Sequence, residues 1–232
     1  MDLYHHFADV YDEIFPVQEK TLAFLTHHFL PGRTLDIGCA TGGYLHRLVD
    51  ASYDAYGLDL DKDMIRVAQE KYPHLIPRLW VQDMRDFDTS KPFQNIYCIG
   101  NTLVHLPNVE SIYDFLNRIY QSLHFTGTFI LQIINYERII SQNITSLPTI
   151  TTPHATFTRH YKIQKERLIF TTDLVTPTRC HSDETKLIPI RPKMLISLLE
   201  KIGFKQIQTF GSFAFDLFIP ETSTPLIIVA RK

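Results

Sequence analysis

The residues best suited to chemistry sit in three short stretches: LDIGCATGGYL (35–45), AYGLDL (55–60) and WVQDMRDF (80–87). In the first, a short apolar run leads into Gly38, Gly42 and Gly43, a turn whose backbone can come close to a ligand. A dinucleotide turn needs a glycine where Ala40 stands, and a P-loop needs a Lys-Ser/Thr pair that does not follow these glycines. The turn is therefore poorly equipped for phosphate, and glycines alone would serve a bare chain reversal equally well. Asp59 follows Gly38 at about the 20-residue spacing that lets an acidic residue on the next strand end bond a ribose diol. A carboxylate there suits free hydroxyls and repels a 2′-phosphate. Asp83 can accept from an adenine amine while Met84 packs on the ring, although a lone aspartate there also reads as a turn or cap residue. Together, three strand ends offer what one adenosine without phosphates requires.

The elements that must position these stretches alternate. Apolar spacing predicts a helix over 3–15 and a second over 18–29, stopped by Pro31-Gly32. Strands are expected over 34–39, 55–60, 79–82, 96–100 and 128–134, with helices over 43–49, 62–71 and 109–123 between them. Such alternation implies right-handed crossovers and a parallel sheet covered on both faces. After Asn135 the pattern changes. Residues 141–153 read as loop, ATFTRHYKI and RLIFTTDLV as an antiparallel hairpin turning near 164–166, 191–202 as a helix, and 204–210 and 225–230 as two final strands.

Composition narrows the classes of function. The chain has 232 residues, 44% hydrophobic, with a net charge of −2. No apolar run approaches the ~20 residues that span a bilayer, so no membrane association is expected. The N-terminal MDLYHHFADVYDEIF lacks a basic segment ahead of an apolar core and does not read as a secretory signal. Cys39, Cys98 and Cys180 are widely and irregularly spaced, as in reduced thiols of a cytoplasmic protein. No Lys/Arg cluster stands out, which disfavours nucleic acid as partner. His5-His6 and His27-His28 are adjacent pairs that diverge on a helix, so no metal is expected from them.

With these motifs in this order, the chain resembles the class I S-adenosylmethionine-dependent methyltransferases over nearly its whole length, from YDEIF (11–15) to LIIVARK (226–232). The resemblance implies an α/β, doubly wound Rossmann-like fold. Its seven-stranded, mostly parallel sheet would end in an antiparallel hairpin and carry a β-rich insertion after strand 5. It implies a single domain over 1–232, with lid helices in 1–30 and the inserted segment 136–190 over the acceptor pocket. S-adenosylmethionine would be the cofactor. Asp36, Gly38, Cys39 (through its backbone), Ala40 and Gly42 would surround its methionine moiety, Asp36 as partner of the ammonium. Asp59 and Leu60 would hold the ribose and adenine edge, and Asp83 and Met84 the adenine. Gly100 would join them at the fourth strand end, and Tyr11 would cover the donor from the lid.

Discrimination of the acceptor should follow the fourth strand, in IYCIGNTLVHLPN (96–108). The Asn/Asp-Pro-Pro-Tyr/Phe turn of nucleobase amine methylation is missing. Cys98 lies mid-strand and reads as a buried inert thiol, and neutral Asn101 does not suit metal-dependent O-methylation. The segment is similar to the Gly-Asn-Ser/Thr-Leu…His-Leu stretch of small-molecule methyltransferases, including glycine and sarcosine N-methyltransferases. His105 and Asn101 are the candidate catalytic residues, the imidazole because its ordinary pKa suits proton transfer. Arg159 and Tyr161, with His160, Arg179 and His181, would suit an anionic group on the acceptor. The expected activity is metal-independent methyl transfer to a small molecule, N-methylation ahead of O-methylation, by a monomer or homodimer with no metal site. A tRNA or protein methyltransferase, or a donor-binding regulatory module without catalysis, is the alternative.

Overall fold

The computed structural model describes residues 7–88, 90–164 and 167–232. The expected first helix begins before residue 7 and the expected hairpin turn includes 165–166, so both lie partly outside the described residues, and His5-His6 lies wholly outside them. The chain opens with a 3-10 turn (Ala8–Val10) and two helices, α1 (Tyr11–Ile14) and α2 (Glu19–His28). Alternation follows: β1 (Thr34–Ile37), α3 (Gly43–Asp50), β2 (Ala55–Asp59), α4 (Lys62–Lys71), β3 (Leu79–Val81), β4 (Phe93–Cys98), α5 (Val109–Ser122) and β5 (Leu123–Ile134). After α6 (Tyr136–Ser141) come β6 (Ser146–Thr151), β7 (Thr156–Gln164), β8 (Arg167–Val175) and β9 (Cys180–Leu187). The chain closes with α7 (Pro192–Ile202), β10 (Lys205–Phe210) and β11 (Pro225–Arg231).

Two sheets result. Seven strands run in the order β10-β11-β5-β4-β1-β2-β3, and four in the order β6-β7-β8-β9. In the large sheet β11 alone runs against its neighbours, pairing antiparallel with both β5 and β10. Both faces are covered, and β11 shows how: Leu226, Ile228 and Ala230 enter one apolar cluster while Ile227 and Val229 enter the other. That period of two, buried on both sides, makes such a strand read as a continuous apolar run. A third cluster joins Phe7, Ala8 and Ile14 to Met64 of α4 and to Ala155, Phe157 and Leu174 of the small-sheet region. The Phe7 and Phe157 rings lie 4.9 Å apart, and burying each is worth roughly 1.5–3 kcal/mol. This cluster seats the N-terminal segment between α4 and the small sheet.

The small sheet corrects the sequence reading in one place and adds a strand to it in another. Residues 146–151 are an edge strand and not loop. Pro148 is tolerated because an edge strand can spare an N–H, and the β6–β7 register shifts between Leu147 and Ile150 around it. Residues 180–187 are a strand as well, carrying polar side chains except for buried Leu187, so apolar periodicity was absent. Both strands hold their place by pairing with the hairpin of β7 and β8.

Candidate functional site

β1 and β2 pair in register, Ile37 beside Leu58, so the chain leaves the sheet where their ends meet. It turns through Gly38 (φ +77) and Ala40 (φ +48). A Cβ on Gly38 would stand 2.6 Å from Thr102 Oγ1, so space as well as φ demands glycine. The Gly38 and Cys39 N–H groups both donate to Leu58 O, at 2.8 and 3.0 Å. The Ala40 N–H donates to Asp59 Oδ2 at 2.9 Å, and the Asp61 N–H to Asp59 Oδ1 at 2.9 Å. One carboxylate thus laces the turn to the start of α4, with lone pairs left over for a ligand. Burial raises the Asp59 pKa, and the N–H groups of Asp61 and Ala40 oppose that shift. Asp61 in turn caps α4, accepting from the Asp63 and Met64 N–H groups at 2.8 and 3.1 Å. Beyond β3, Asp83 is gripped by Arg85, with Nη2 2.6 Å from Oδ2, and this pairing lowers the carboxyl pKa.

These strand ends open into one cavity of about 780 Å³, within the range of small-molecule sites. Its charged lining sets Asp59, Asp61, Asp63 and Asp83 against Lys62 and Arg85, and Arg85 is already paired with Asp83. Such a wall suits a cationic ligand bearing free hydroxyls and repels phosphate. At Gly100 (φ +78) a Cβ would meet nothing within 4 Å, so the backbone there borders open space. Leu60, Met84 and Ile99 supply apolar wall.

The far end is built by the 3-10 turn Thr102–His105 and by Leu106 and Pro107. The segment after β9 holds this turn, the Ile188 N–H donating to Val104 O at 3.0 Å. Burial lowers the His105 pKa from 6.5, so its imidazole is neutral at pH 7. Tyr11 reaches the cavity from α1. Its two successors tie that helix down on opposite sides. Asp12 accepts from Thr41 Oγ1 at 2.5 Å and pairs with Lys71, while Glu13 lies 3.0 Å from His154 Nδ1 and accepts from Thr152 Oγ1 at 3.1 Å.

The family of methyltransferase domains matches residues 34–127, the stretch that carries the three strand ends. Across the whole fold, an S-adenosylmethionine-dependent methyltransferase from Clostridium acetobutylicum superposes with a TM-score of 0.82 at 15% identity, covering 98% of each chain. Residues 34–127 are thus similar to methyltransferase domains, and the chain has the fold of S-adenosylmethionine-dependent methyltransferases. A dTDP-3-amino-3,6-dideoxy-alpha-D-glucopyranose N,N-dimethyltransferase of Streptomyces fradiae is 35% identical over 72 residues, 31% of this chain and 28% of that one. The glycine/sarcosine N-methyltransferase of Aphanothece halophytica is 24% identical over 191 residues, 78% of this chain and 69% of that one. The chain spans about half or less of the length of several curated relatives it matches. The cavity chemistry agrees with the cofactor of such domains: S-adenosylmethionine carries a sulfonium, an ammonium and a free ribose diol, and no phosphate.

Within this fold, Tyr11, Gly38, Ala40, Asp59, Leu60, Asp83, Met84, Gly100 and His105 come together around the cavity. Asp36, Cys39, Gly42, Asn101, Arg159 and Tyr161 do not line it. Asp36 is buried beside Tyr97; burial pushes its pKa up to about 8 against the pull of the Tyr97 phenol. It is therefore largely protonated near neutrality, and it stands outside the cavity lining where an ammonium would meet it directly. The Cys39 thiol points at Gly57, where a Cβ would come within 2.9 Å of its sulfur. Gly42 caps α3 at φ +74 and faces Ala68 and Leu75. The Asn101 amide is spent on bracing: Oδ1 accepts from the Ile134 N–H at 2.9 Å and Nδ2 donates to Tyr136 Oη at 3.0 Å. Tyr161 stacks on Phe170 in the core, 5.2 Å between ring centroids. Arg159 donates to Pro148 O at 2.7 Å and lies over the Phe157 ring, so both residues serve the small sheet itself.

The sequence reading missed Lys62, Asp63 and Met64 at the start of α4, Arg85 beyond β3, and Thr102, Leu106 and Pro107. A signal existed for most: each lies within a few residues of a parallel strand end, where such sheets bind ligands. Among the described residues no helix is long and apolar enough to cross a membrane.

Proposed function

We propose that this chain transfers the methyl group of S-adenosylmethionine to a small-molecule acceptor, nitrogen ahead of oxygen. The observation that carries the reading is the continuity of one cavity, from the acidic strand ends at Asp59 and Asp83 to the buried, neutral imidazole of His105. When bound, S-adenosylmethionine supplies a methyl group activated by its sulfonium. Asp59 holds the ribose diol, Asp83 and Met84 hold the adenine, and the Gly38–Ala40 turn admits the methionine part. Tyr11 excludes water from above. His105, neutral at working pH, accepts the proton that an amine or hydroxyl must lose to present or regenerate a neutral product. Alignment of the two reactants is the main contribution asked of the protein, worth roughly 7–11 kcal/mol in well-oriented systems. The glycine/sarcosine and amino-sugar relatives, both N-methyltransferases by name, support nitrogen as the accepting atom.

Titration calorimetry and a transfer screen test the reading together. S-adenosylmethionine should bind the full chain, and Asp59→Ala should weaken it at least tenfold, roughly the cost of stranding the Ala40 and Asp61 N–H groups and losing the diol contact. Comparable affinity for NAD would overturn the donor assignment. A screen of small amines, amino acids, amino sugars and phenols should give turnover with an amine. Tight donor binding with turnover only on tRNA or a protein would overturn the acceptor class.

A further inference from the structure

His46, Asp50 and His74 form a cluster that the methyltransferase cavity does not use. His46 and Asp50 stand four residues apart on α3, and His74 follows Pro73 at the corner where α4 ends. His46 Nε2 lies 3.4 Å from Asp50 Oδ2, and His74 Nε2 lies 3.6 Å from Asp50 Oδ1. The two imidazoles face each other, His46 Nδ1 at 3.3 Å from His74 Nε2. One donor atom from each residue can be chosen so that all lie within 4.8 Å of one another. We propose that this trio binds a divalent transition-metal ion of the zinc class.

Three features favour a metal over a chance meeting of polar side chains. One donor atom from each residue falls within 4.8 Å of the others, a spread that small side-chain rotations can close to the roughly 3.3 Å between two ligands that each stand ~2.0 Å from a tetrahedral ion. The site is also partly preorganised. The His46 ring stacks on Tyr72 at 4.1 Å and 17°, which fixes its plane. Finally, no Lys or Arg among the described residues forms an ion pair with Asp50, whose salt-bridge partners are the two imidazoles. Imidazole and carboxylate ligands suit Zn²⁺, Co²⁺ and Ni²⁺; Mg²⁺ and Ca²⁺ prefer an all-oxygen set. Three protein ligands at the surface leave the fourth position to water.

Such an ion would tie α3, the helix that begins at the glycine turn, to the α4 corner. Gly42 makes contact with the same corner, a Cβ there lying 3.6 Å from Leu75 and 4.0 Å from Tyr72. The site is thus a cross-brace behind the donor turn. It is independent of which acceptor the protein methylates and of whether it methylates at all.

The test uses the untagged full chain freed of metal with a chelator. Co²⁺ titration followed by absorbance, and Zn²⁺ titration by calorimetry, should show one equivalent bound, and Zn²⁺ should raise the melting midpoint reversibly with EDTA. His74→Gln and Asp50→Asn should each weaken binding at least tenfold, roughly the scale on which even indirect ligand support acts. Both should leave the metal-free melting midpoint unchanged, since the residues are surface ones. His27→Gln, in an unrelated histidine pair, should bind like the wild type. The proposal fails if the wild type takes up no ion, if His74→Gln and Asp50→Asn retain full affinity, or if Mg²⁺ competes equally with Zn²⁺.

Discussion

The donor wall and the roof made by the N-terminal segment and the small sheet, which packs against Ala40 and Met64 beside it, are built on different principles. The donor wall is made where parallel strands stop: Gly38 and Ala40 after β1, Asp59 after β2, Asp83 after β3, Gly100 after β4. Its key atoms are backbone N–H groups and one carboxylate, and its parts lie within a few residues of each other or on adjacent strands. The roof joins segments far apart in the chain. Phe7 meets Phe157, Glu13 meets His154, and Ile188 holds Val104. The first kind of site is written in local motifs; the second exists only once distant segments pack.

Four substitutions probe that contrast, beginning with the largest effect. His105→Gln should lower kcat by roughly 10²–10⁴-fold, the usual worth of a general base, while S-adenosylmethionine affinity stays within twofold of wild type by calorimetry. A fall in donor affinity instead would move His105 to the donor wall and blur the division. Gly38→Ala should do the reverse and strike the donor wall. A left-handed φ costs a non-glycine residue roughly 1–2 kcal/mol, and overpacking against Thr102 roughly 1–3 kcal/mol more. Donor binding should be lost and the melting midpoint lowered; retention of both would show that the turn relaxes freely.

Asp12→Ala and Glu13→Ala sharpen the comparison, because these neighbours tie α1 to the two sides. Asp12 reaches the donor turn through Thr41, and Glu13 reaches the roof through Thr152 and His154. Losing the Asp12 contacts should cost about 1 kcal/mol, read as roughly fivefold weaker donor binding. Glu13→Ala should leave donor affinity unchanged and raise KM for the acceptor. Equal effects of the two on donor affinity would mean that α1 acts as one rigid lid.

A further prediction concerns pH and stands outside that ranking. Asp36 has a pKa of about 8 in the fold against 3.8 as its reference value. Between those values the folded protein holds a proton that the unfolded chain does not, so stability falls as pH rises. The contribution is complete below pH 3.8 and is lost as pH climbs through about 8. Melting midpoints from pH 5 to 8 should therefore decline more steeply for the wild type than for Asp36→Asn. Parallel curves would show that Asp36 is ionised in the fold and that the Tyr97 pairing outweighs burial.

Much of the large sheet was legible because its strands are buried on both faces and its helices carry local stop signals. The helix over 62–71 opens at Asp61, whose side chain caps it, and closes at Tyr72-Pro73. The small sheet was half legible. β7 and β8 alternate clearly, whereas β6 contains Pro148 and β9 is polar nearly throughout, so neither shows a period that propensity can detect. Asn101 illustrates a different gap. A Gly-Asn turn at a strand end looks reactive on paper, but whether its amide faces the cavity or braces Ile134 and Tyr136 depends on where β5 and α6 fall.

The amino-acid sequence by itself determined the kind of donor. Ala40, Asp59 and Asp83, at their spacings along alternating strands, disfavour a phosphate-bearing nucleotide and suit an adenosine with a free ribose diol, and the resemblance of these motifs implies S-adenosylmethionine. Only the tertiary structure decided which of the candidate residues share one cavity. It gave Asp36 to the core, set the Asn101 amide to bracing Ile134 and Tyr136, gave Arg159 and Tyr161 to the small sheet, and brought His46, Asp50 and His74 together. Side-chain direction at those positions is set by packing between segments distant in the chain, and no local pattern encodes that.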